Sequence, residues 1–518
     1  MPKCKINGIE VEVEKGETVI QAFMKLPQDI AHYCWHPGLS VAGVCRLCMV
    51  EIEGVPKLQI ACNTEVKDGM VVNNTSDKVK EAVKWGLDFH LINHPLDCPI
   101  CDQAGECGLQ DQYMAFGKYD PEMAEPKVKK HKVVDLGPTI VLDTERCILC
   151  SRCVRFTSEI SETHELGIFN RGDRSEIGTF ESKPLDNNYS LNTVDICPVG
   201  ALTSKDFRFR QRVWYLENSE SICPGCSTGC NVKVYYNEEG LWRIKPRYNP
   251  EVNGYWMCDQ GRDTYKYVNA PFRLQQAVVA DTTSPELKSA GQTVKELHSK
   301  ISDIIAKKGV GSVALVLTGQ YTNEEYEDLI EAFKDDLKVT QVYHWMNMPE
   351  KKDEFDGLLL RGDRNPNTHG LLKAMKDNGI QTQWKDFEGK ITKNEIEFVV
   401  VAGPENQNYF PDMNEKVALL GKVPQVVWLT SNPVKALESR KGFTALIPTK
   451  TYAEKAGTFT NYKGLKQSFK PVTLVVPGAL TLSEVAQLIV GKELSLTGRP
   501  ERSKELKSNH FTELRGTL

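Results

Sequence analysis

Across 518 residues the chain is 40% apolar, with a mean hydropathy of −0.38, which fills several cores at about 100–200 residues per domain and argues against a single domain. A formal net charge of −5 removes the electrostatic case for nucleic acid or an anionic membrane surface as partner, and the basic runs KVKKHK (127–132) and KDFRFRQR (205–212) read as solvated or subunit-facing patches. No stretch approaches the ~20 uncharged apolar residues that cross a bilayer, and the first residues lack the apolar centre of a signal peptide, so a soluble protein of the cytoplasm or a matrix-like compartment is expected.

Residues 3–13 (KCKINGIEVEV) are two alternating runs joined by Asn7-Gly8, the sequence of a tight hairpin whose central residues both need positive φ. Thr18 then caps the apolar-periodic segment VIQAFMKL, and CMVEIEG and KLQIACNT follow as strands. Hairpin, helix and short strands outline a small β-grasp module. A helix capped near Ser76 (DKVKEAVKWGLDFHLINH) leads out of it. From about residue 95 to 270 the chain is rich in loops and cysteines with weak periodicity, so metal rather than a large apolar core is expected to organise it. Beyond about residue 273, TVKELHSKISDIIAKK is amphipathic at helical spacing, and SVALVL, NEEYEDLIEAFKDDL, EFVVVAG, QVVWLT and TALIP follow. Short, wholly apolar runs alternating with helices indicate a buried parallel sheet. The tail from Gly498 is polar and is expected to dock on a partner or stay mobile.

Of the sixteen cysteines, all but Cys4 lie between Cys34 and Cys258, a clustering that in a reducing compartment reads as metal ligation rather than a disulfide framework. A 2Fe-2S rhomb and a 4Fe-4S cubane each need four protein ligands. The first group is Cys34, Cys45, Cys48 and Cys62, on a loop whose Gly38 and Gly43 let backbone amides turn toward anionic sulfur; this reads as a 2Fe-2S site, since zinc usually pairs two Cys-x-x-Cys hairpins. In the second, HPLDCPICDQAGEC, three cysteines (Cys98, Cys101, Cys107) lack a fourth partner, which His94 supplies; His90 is the competitor. The third, Cys147, Cys150 and Cys153 with the remote Cys197-Pro198, repeats the spacing of bacterial ferredoxins. The fourth is Cys223, Cys226, Cys230 and Cys258, another cubane spacing, with zinc as the bland alternative. Fifteen cysteines and His94 complete four sets. Cys4 is left as a small buried apolar side chain on a strand.

Gly309-Val-Gly311 precedes its strand, whereas a dinucleotide loop must follow one, so it reads as a turn. Neither a phosphate loop nor a catalytic triad is visible, and flavin, NADH and quinone are expected on other chains. Arg171-Gly-Asp173 and Arg361-Gly-Asp363 read as chance tripeptides, and Asn73-Asn-Thr75 as irrelevant in the cytosol.

A 2Fe-2S set, a His-plus-three-Cys set, a Cys-x-x-Cys-x-x-Cys set and a molybdopterin-enzyme-type set, in that order, resemble the large iron–sulfur subunit, of the 75 kDa type, of bacterial NADH:quinone oxidoreductase, respiratory complex I. The resemblance is close over about residues 1–270. Further on it is carried by GDRNPNTHG (362–370) and AEKAGTFTNYKGLKQ (453–467), which look like that family's degenerate molybdopterin-oxidoreductase domain, with Leu465 where the family usually has Arg. The resemblance implies an α+β and α/β multidomain chain: a β-grasp 2Fe-2S ferredoxin-like domain (1–78), a His-Cys 4Fe-4S domain (79–118), a 4Fe-4S ferredoxin-like domain (138–212), a molybdopterin-oxidoreductase-type 4Fe-4S domain (216–272) and a truncated α/β domain (273–518). It implies one 2Fe-2S and three 4Fe-4S clusters, no FMN, NAD or molybdopterin, and no catalytic residue on this chain. Implied partners are a flavin/NADH-binding subunit, a small 2Fe-2S subunit, a ferredoxin-like 4Fe-4S subunit and quinone-module subunits. The implied place is the peripheral arm on the cytoplasmic face of the inner membrane. Electrons would enter the 2Fe-2S cluster, pass to the Cys147 group and the His94 group, and leave to the ferredoxin-like partner, with the fourth cluster off the route.

Rivals share these clusters. A molybdenum formate dehydrogenase would need a longer C-terminal region and a metal-binding Cys or selenocysteine, and an iron-only hydrogenase would need further cysteines, yet none follows Cys258. The electron-transfer subunit of a soluble NAD-linked hydrogenase or formate dehydrogenase is the alternative. From a different class, a zinc scaffold would carry stoichiometric zinc and show no brown colour.

Overall fold

A computed structural model describes residues 1–118, 125–181, 183–281, 285–347, 354–434, 437, 440 and 442–494; the polar tail from Gly498 lies outside them. The described residues divide into two compact units, one from Met1 to Tyr215 and one from Leu216 on. Among them no helix is long and apolar enough to cross a membrane.

The first unit opens on the expected hairpin. Strands Lys3–Ile6 and Ile9–Glu12 pair antiparallel across Asn7 and Gly8, whose φ values of 48° and 86° are both positive, the conformation that favours Asn-Gly in such turns. Helix Val19–Met24 follows Thr18, whose backbone N–H donates to the Gln21 side chain at 2.8 Å. It turns Val19, Ile20, Ala22 and Phe23 onto a five-stranded sheet in which Lys3–Ile6 also runs parallel to Met70–Asn73. Cys4 sits on that strand, 2% exposed, and packs in the same core. Helix Asp77–Leu91 starts where the Ser76 hydroxyl accepts the Val79 N–H at 3.4 Å, and buries Val79, Val83 and Leu87. It stops at Leu91, short of the expected end, so that His94 stands beyond it.

Between residues 95 and 215 the expectation of metal-led organisation needs correction. A three-stranded sheet (Val134–Asp135, Ile140–Leu142, Leu202–Ser204) and a hairpin (Leu166–Phe169, Glu176–Thr179) frame this stretch. Leu136, Ile140, Leu142, Leu166, Ile177 and Leu185 pack in one apolar cluster that also takes in Cys107, Cys150 and Cys153. Apolar burial and the cysteines thus share one interior. The elements are too short to declare a period in the sequence.

The second unit begins with an antiparallel meander, Glu217–Ile222, Asn231–Asn237 and Gly240–Pro246, where loop is expected from the sequence. A seven-stranded sheet follows in the order Glu286–Lys288, Ala277–Ala280, Thr444–Pro448, Gln425–Thr430, Phe398–Ala402, Val313–Thr318, Val342–Trp345. The last five strands of that order are parallel, as their wholly apolar runs require. Helix Ala290–Lys308 lays Val294, Leu297 and Ile301 on the core shared with this sheet. Gly309, with φ +85°, ends it and turns the chain into Val313–Thr318, as expected of a turn rather than a dinucleotide loop.

Candidate metal centres

The first group gathers at the edge of the β-grasp sheet: Cys45 and Cys48 lie on the loop entering strand Met49–Ile52, Cys62 on the short turn Ala61–Asn63, and Cys34 on the loop after the first helix. All four are buried. Their thiols meet in two pairs, Cys34 hydrogen-bonded to Cys45 and Cys48 to Cys62. Each iron of a 2Fe-2S rhomb takes two thiolates, so paired sulfurs are the donor pattern that group requires. The bond with Cys45 holds the Cys34 thiol below its ordinary value and raises that of Cys45.

In the second group Cys98 starts a short turn and is exposed, whereas Cys101 after it and Cys107 at the head of helix Gly108–Phe116 are buried. The Cys101 sulfur rests against Gly200, where a Cβ would stand 2.2 Å from it. Burial pushes the Cys107 thiol up to about 12. Beyond the end of helix Asp77–Leu91, His94 has its Nδ1 buried without a hydrogen-bond partner, and burial keeps the ring neutral, down at about 4. Neutral imidazole is the form that ligates metal. The Arg146 charge reaches both His94 and Cys101. His90 is engaged otherwise: its Nδ1 lies 2.7 Å from the Gly86 carbonyl and its ring packs edge-on against Tyr33.

Cys147, Cys150, Cys153 and Cys197 line one cavity whose remaining walls are mainly apolar, among them Leu142, Ile177, Val199 and Leu202. The Leu149 N–H points at the Cys147 sulfur at 3.4 Å, with Leu149 and Ser151 in left-handed conformation (φ 57° and 61°) so that the loop can wrap the space. Burial drives the Cys147 thiol up to about 12 and the Cys197 thiol to about 11. Neutral thiols there become ligands only when a metal takes the proton's place.

The fourth group is buried entirely. The Cys223 N–H donates to the Cys230 carbonyl at 2.8 Å, closing the loop. Backbone amides of Gly225 and Gly261 lie 3.4 Å from the Cys223 sulfur and 3.3 Å from the Cys258 sulfur. A Cβ on Gly261 would meet the Cys223 sulfur at 2.9 Å and the Cys258 sulfur at 3.4 Å, which places both sulfurs on one glycine face. The paired, walled and amide-flanked sulfurs fit clusters. Gly200 and Arg152, which lines the third cavity, are not singled out by sequence reasoning, the only signal being their place within three residues of a cysteine, whereas Gly261 lies in the run Asp259-Gln-Gly-Arg262 that follows the fourth group.

Four known domain families match successive stretches: a 2Fe-2S iron-sulfur cluster binding domain over 3–77, the NADH-ubiquinone oxidoreductase-G iron-sulfur binding region over 86–121, the ferredoxin-like domain of NADH-quinone oxidoreductase subunit 3 over 137–203, and the molybdopterin oxidoreductase Fe4S4 domain over 217–270. The chain is 39% identical over 315 residues to the G subunit of the NADH-quinone oxidoreductase of Rickettsia conorii, covering 60% of this chain and 46% of that one. It is 41% identical over 306 residues to the corresponding NADH-quinone oxidoreductase chain of Streptomyces coelicolor, covering 59% and 36%. With the NADH-ubiquinone oxidoreductase 75 kDa subunit of Reclinomonas americana it shares 41% over 260 residues, covering 50% and 38%. The chain therefore spans less than half the length of these curated relatives. A solved NAD+-reducing NiFe-hydrogenase chain aligns at 29% identity with a TM-score of 0.37, covering 41% of this chain and 91% of that one.

Proposed function

We propose that this chain is an electron-transfer subunit of an NADH:quinone oxidoreductase of the complex I type, carrying electrons from an NADH-oxidising flavin module toward quinone. The observation that carries the reading is the cavity lined by Cys147, Cys150, Cys153 and Cys197. It is a four-sulfur, apolar-walled space of the kind a cubane needs, in a chain whose other cysteines, Cys4 apart, fall into three further sets along the sequence. The four ligand sets, the five domain bounds given above, the count of one 2Fe-2S and three 4Fe-4S clusters and the degenerate molybdopterin-oxidoreductase character of residues 273–518 are part of this reading. So are the flavin, small 2Fe-2S, ferredoxin-like and quinone-module partners and a place in the peripheral arm on the cytoplasmic face of the membrane.

A bound iron–sulfur cluster supplies reversible one-electron chemistry. The chain's own residues set its terms. Thiolates of each group fix position. Amides of Leu149, Gly225 and Gly261 aim N–H dipoles at sulfur, which eases the arrival of negative charge. Leu142, Ile177, Val199 and Leu202 keep water from the third cavity. His94 brings a neutral donor where the other sets bring a thiolate, lowering the negative charge there by one. Chain loaded anaerobically with iron and sulfide should hold about fourteen irons and turn brown, and in the complex its 2Fe-2S resonance should rise on rapid mixing with NADH. Stoichiometric zinc in a colourless protein would end the proposal.

A further inference from the structure

Helix Arg152–Glu159 begins inside the Cys147–Cys153 run. Arg152 lines the cavity of the third group, yet its guanidinium also reaches the first. Nη2 donates to the Trp35 carbonyl at 2.6 Å and Nη1 to the Ile196 carbonyl at 3.1 Å, next in sequence to Cys34 and Cys197 respectively. The third donor, Nε, is buried and has no partner. One turn on, Arg155 donates from Nη2 to the carbonyls of Cys34 and, at 3.4 Å, of Cys150, and from Nη1 to that of Ser40. Among the described residues neither guanidinium has a carboxylate partner. The groups that act electrostatically on Arg152 are the sulfurs of Cys150, Cys197 and Cys34 and the like charge of Arg155.

A partly buried cation without a counter-ion is costly unless an anion occupies the space beside it, and thiolate-held clusters are anions. An unpartnered N–H in a cavity wall is likewise costly unless an acceptor fills the cavity. We infer that Arg152 is a positioning and potential-setting residue shared by the first and third groups. Its Nε–H is the donor to the cluster held by Cys147, Cys150, Cys153 and Cys197, and its charge, with that of Arg155, favours the reduced state of both clusters. Its two carbonyl bonds also clamp the Cys34 loop to the Cys197 loop. The inference rests on the relay reading above, because a zinc or empty site would have no potential to set.

The test is a potentiometric titration of the full-length, anaerobically loaded chain, followed by paramagnetic resonance. In Arg152→Gln, at the potential where the wild-type third cluster is half reduced, the reduced-to-oxidised ratio should fall about tenfold, which is about 59 mV for a one-electron couple. The 2Fe-2S signal should move in the same direction by less, and Arg152→Lys, which keeps the charge but loses the Nε–H, should shift the third cluster by clearly less than Arg152→Gln does. Unchanged midpoints in Arg152→Gln, or Lys shifting as far as Gln, would overturn the inference. If Arg152→Gln does not hold its clusters, Arg155→Gln decides: both midpoints lower supports the inference and neither lower overturns it. Loss of clusters in all three variants leaves the arginines a folding role alone and overturns it as well. Absence of the two signals from wild-type protein would instead sink the relay reading.

Discussion

Replacing Gly200 by alanine tests the second metal centre without touching any proposed ligand. A Cβ there would lie 2.2 Å from the Cys101 sulfur and 3.1 Å from the Gln103 Cβ. Ordinary contact begins near about 3.5 Å, so the sulfur must retreat by about 1 Å. Turning the Cys101 side chain relieves the clash, but a ligand bond tolerates only about 0.2 Å of misplacement. The relief would therefore remove the sulfur from the cluster proposed for it. As overpacking alone the change costs about 1–3 kcal/mol, and the same cost can be imposed elsewhere: a Cβ on Gly403 would stand 2.1 Å from the Trp428 Nε1, in a β-sheet core that includes no cysteine. Iron content and paramagnetic resonance of the two variants, loaded in parallel, make the comparison. Gly200→Ala should lose about four irons per chain and one cubane signal. Gly403→Ala should melt earlier and keep its full iron. A Gly200→Ala protein with full iron and every signal intact would show that Cys101 holds nothing.

The imidazole choice is tested by His94→Ala, which should abolish or distort one cubane signal, while His90→Ala, whose ring is tied to Gly86 and Tyr33, should not; the reverse pattern names the wrong histidine. In the second unit, burial lifts the Glu405 carboxyl to about 7 from a usual 4.5, beside Lys455 at 2.6 Å. A carboxyl raised on folding adds stability that is full below its unfolded value and lost as pH rises through the folded one. Wild type should therefore lose up to about 3 kcal/mol relative to Glu405→Gln as pH climbs from about 5 to about 8, and parallel melting curves would refute the assignment. Cys226→Ala should reduce the yield of assembled complex, because ligation free energy is folding free energy, while turnover per assembled complex stays nearly unchanged; a proportional fall in turnover would place this cluster on the electron route.

What could be read from the sequence is what local chemistry dictates. Asn7-Gly8 announced its turn because few other pairs accept two positive φ values, and the runs SVALVL, EFVVVAG, QVVWLT and TALIP announced parallel strands because only strands covered on both faces can be apolar throughout. The meander from Glu217 to Pro246 stayed hidden for the opposite reason. Among its buried residues only Val232 and Val234 alternate with a polar one, Leu241 and Ile244 being three apart with the register shifted at Tyr235/Tyr236, within a stretch whose cysteines drew attention to metal. The cysteine groups could be proposed as sets because ligand spacing is written along the chain.

The surroundings of those sets are not written there, and they carry the remaining chemistry. Gly200 stands three residues past Cys197 in sequence, and only the fold brings Cys101 against it from almost a hundred residues away. Arg152 lies inside the Cys147–Cys153 run in sequence, and only the fold offers it the carbonyls of Trp35 and Ile196. Both depend on pairings whose register is fixed by apolar packing in the interior that holds Leu142, Leu166 and Ile177 along with Cys107, Cys150 and Cys153. If packing and ligation share that interior, then a cavity made there without altering any cysteine should loosen the cluster as well as the fold. Ile177→Ala removes an apolar wall of the third cavity and should admit water beside the sulfurs, at a cost of about 2–5 kcal/mol. Its measure is the rate at which a chelator strips iron from loaded protein: faster stripping with an unchanged set of cysteines follows from a shared interior, and a wild-type rate in a destabilised variant would mean that the cysteines alone hold the site.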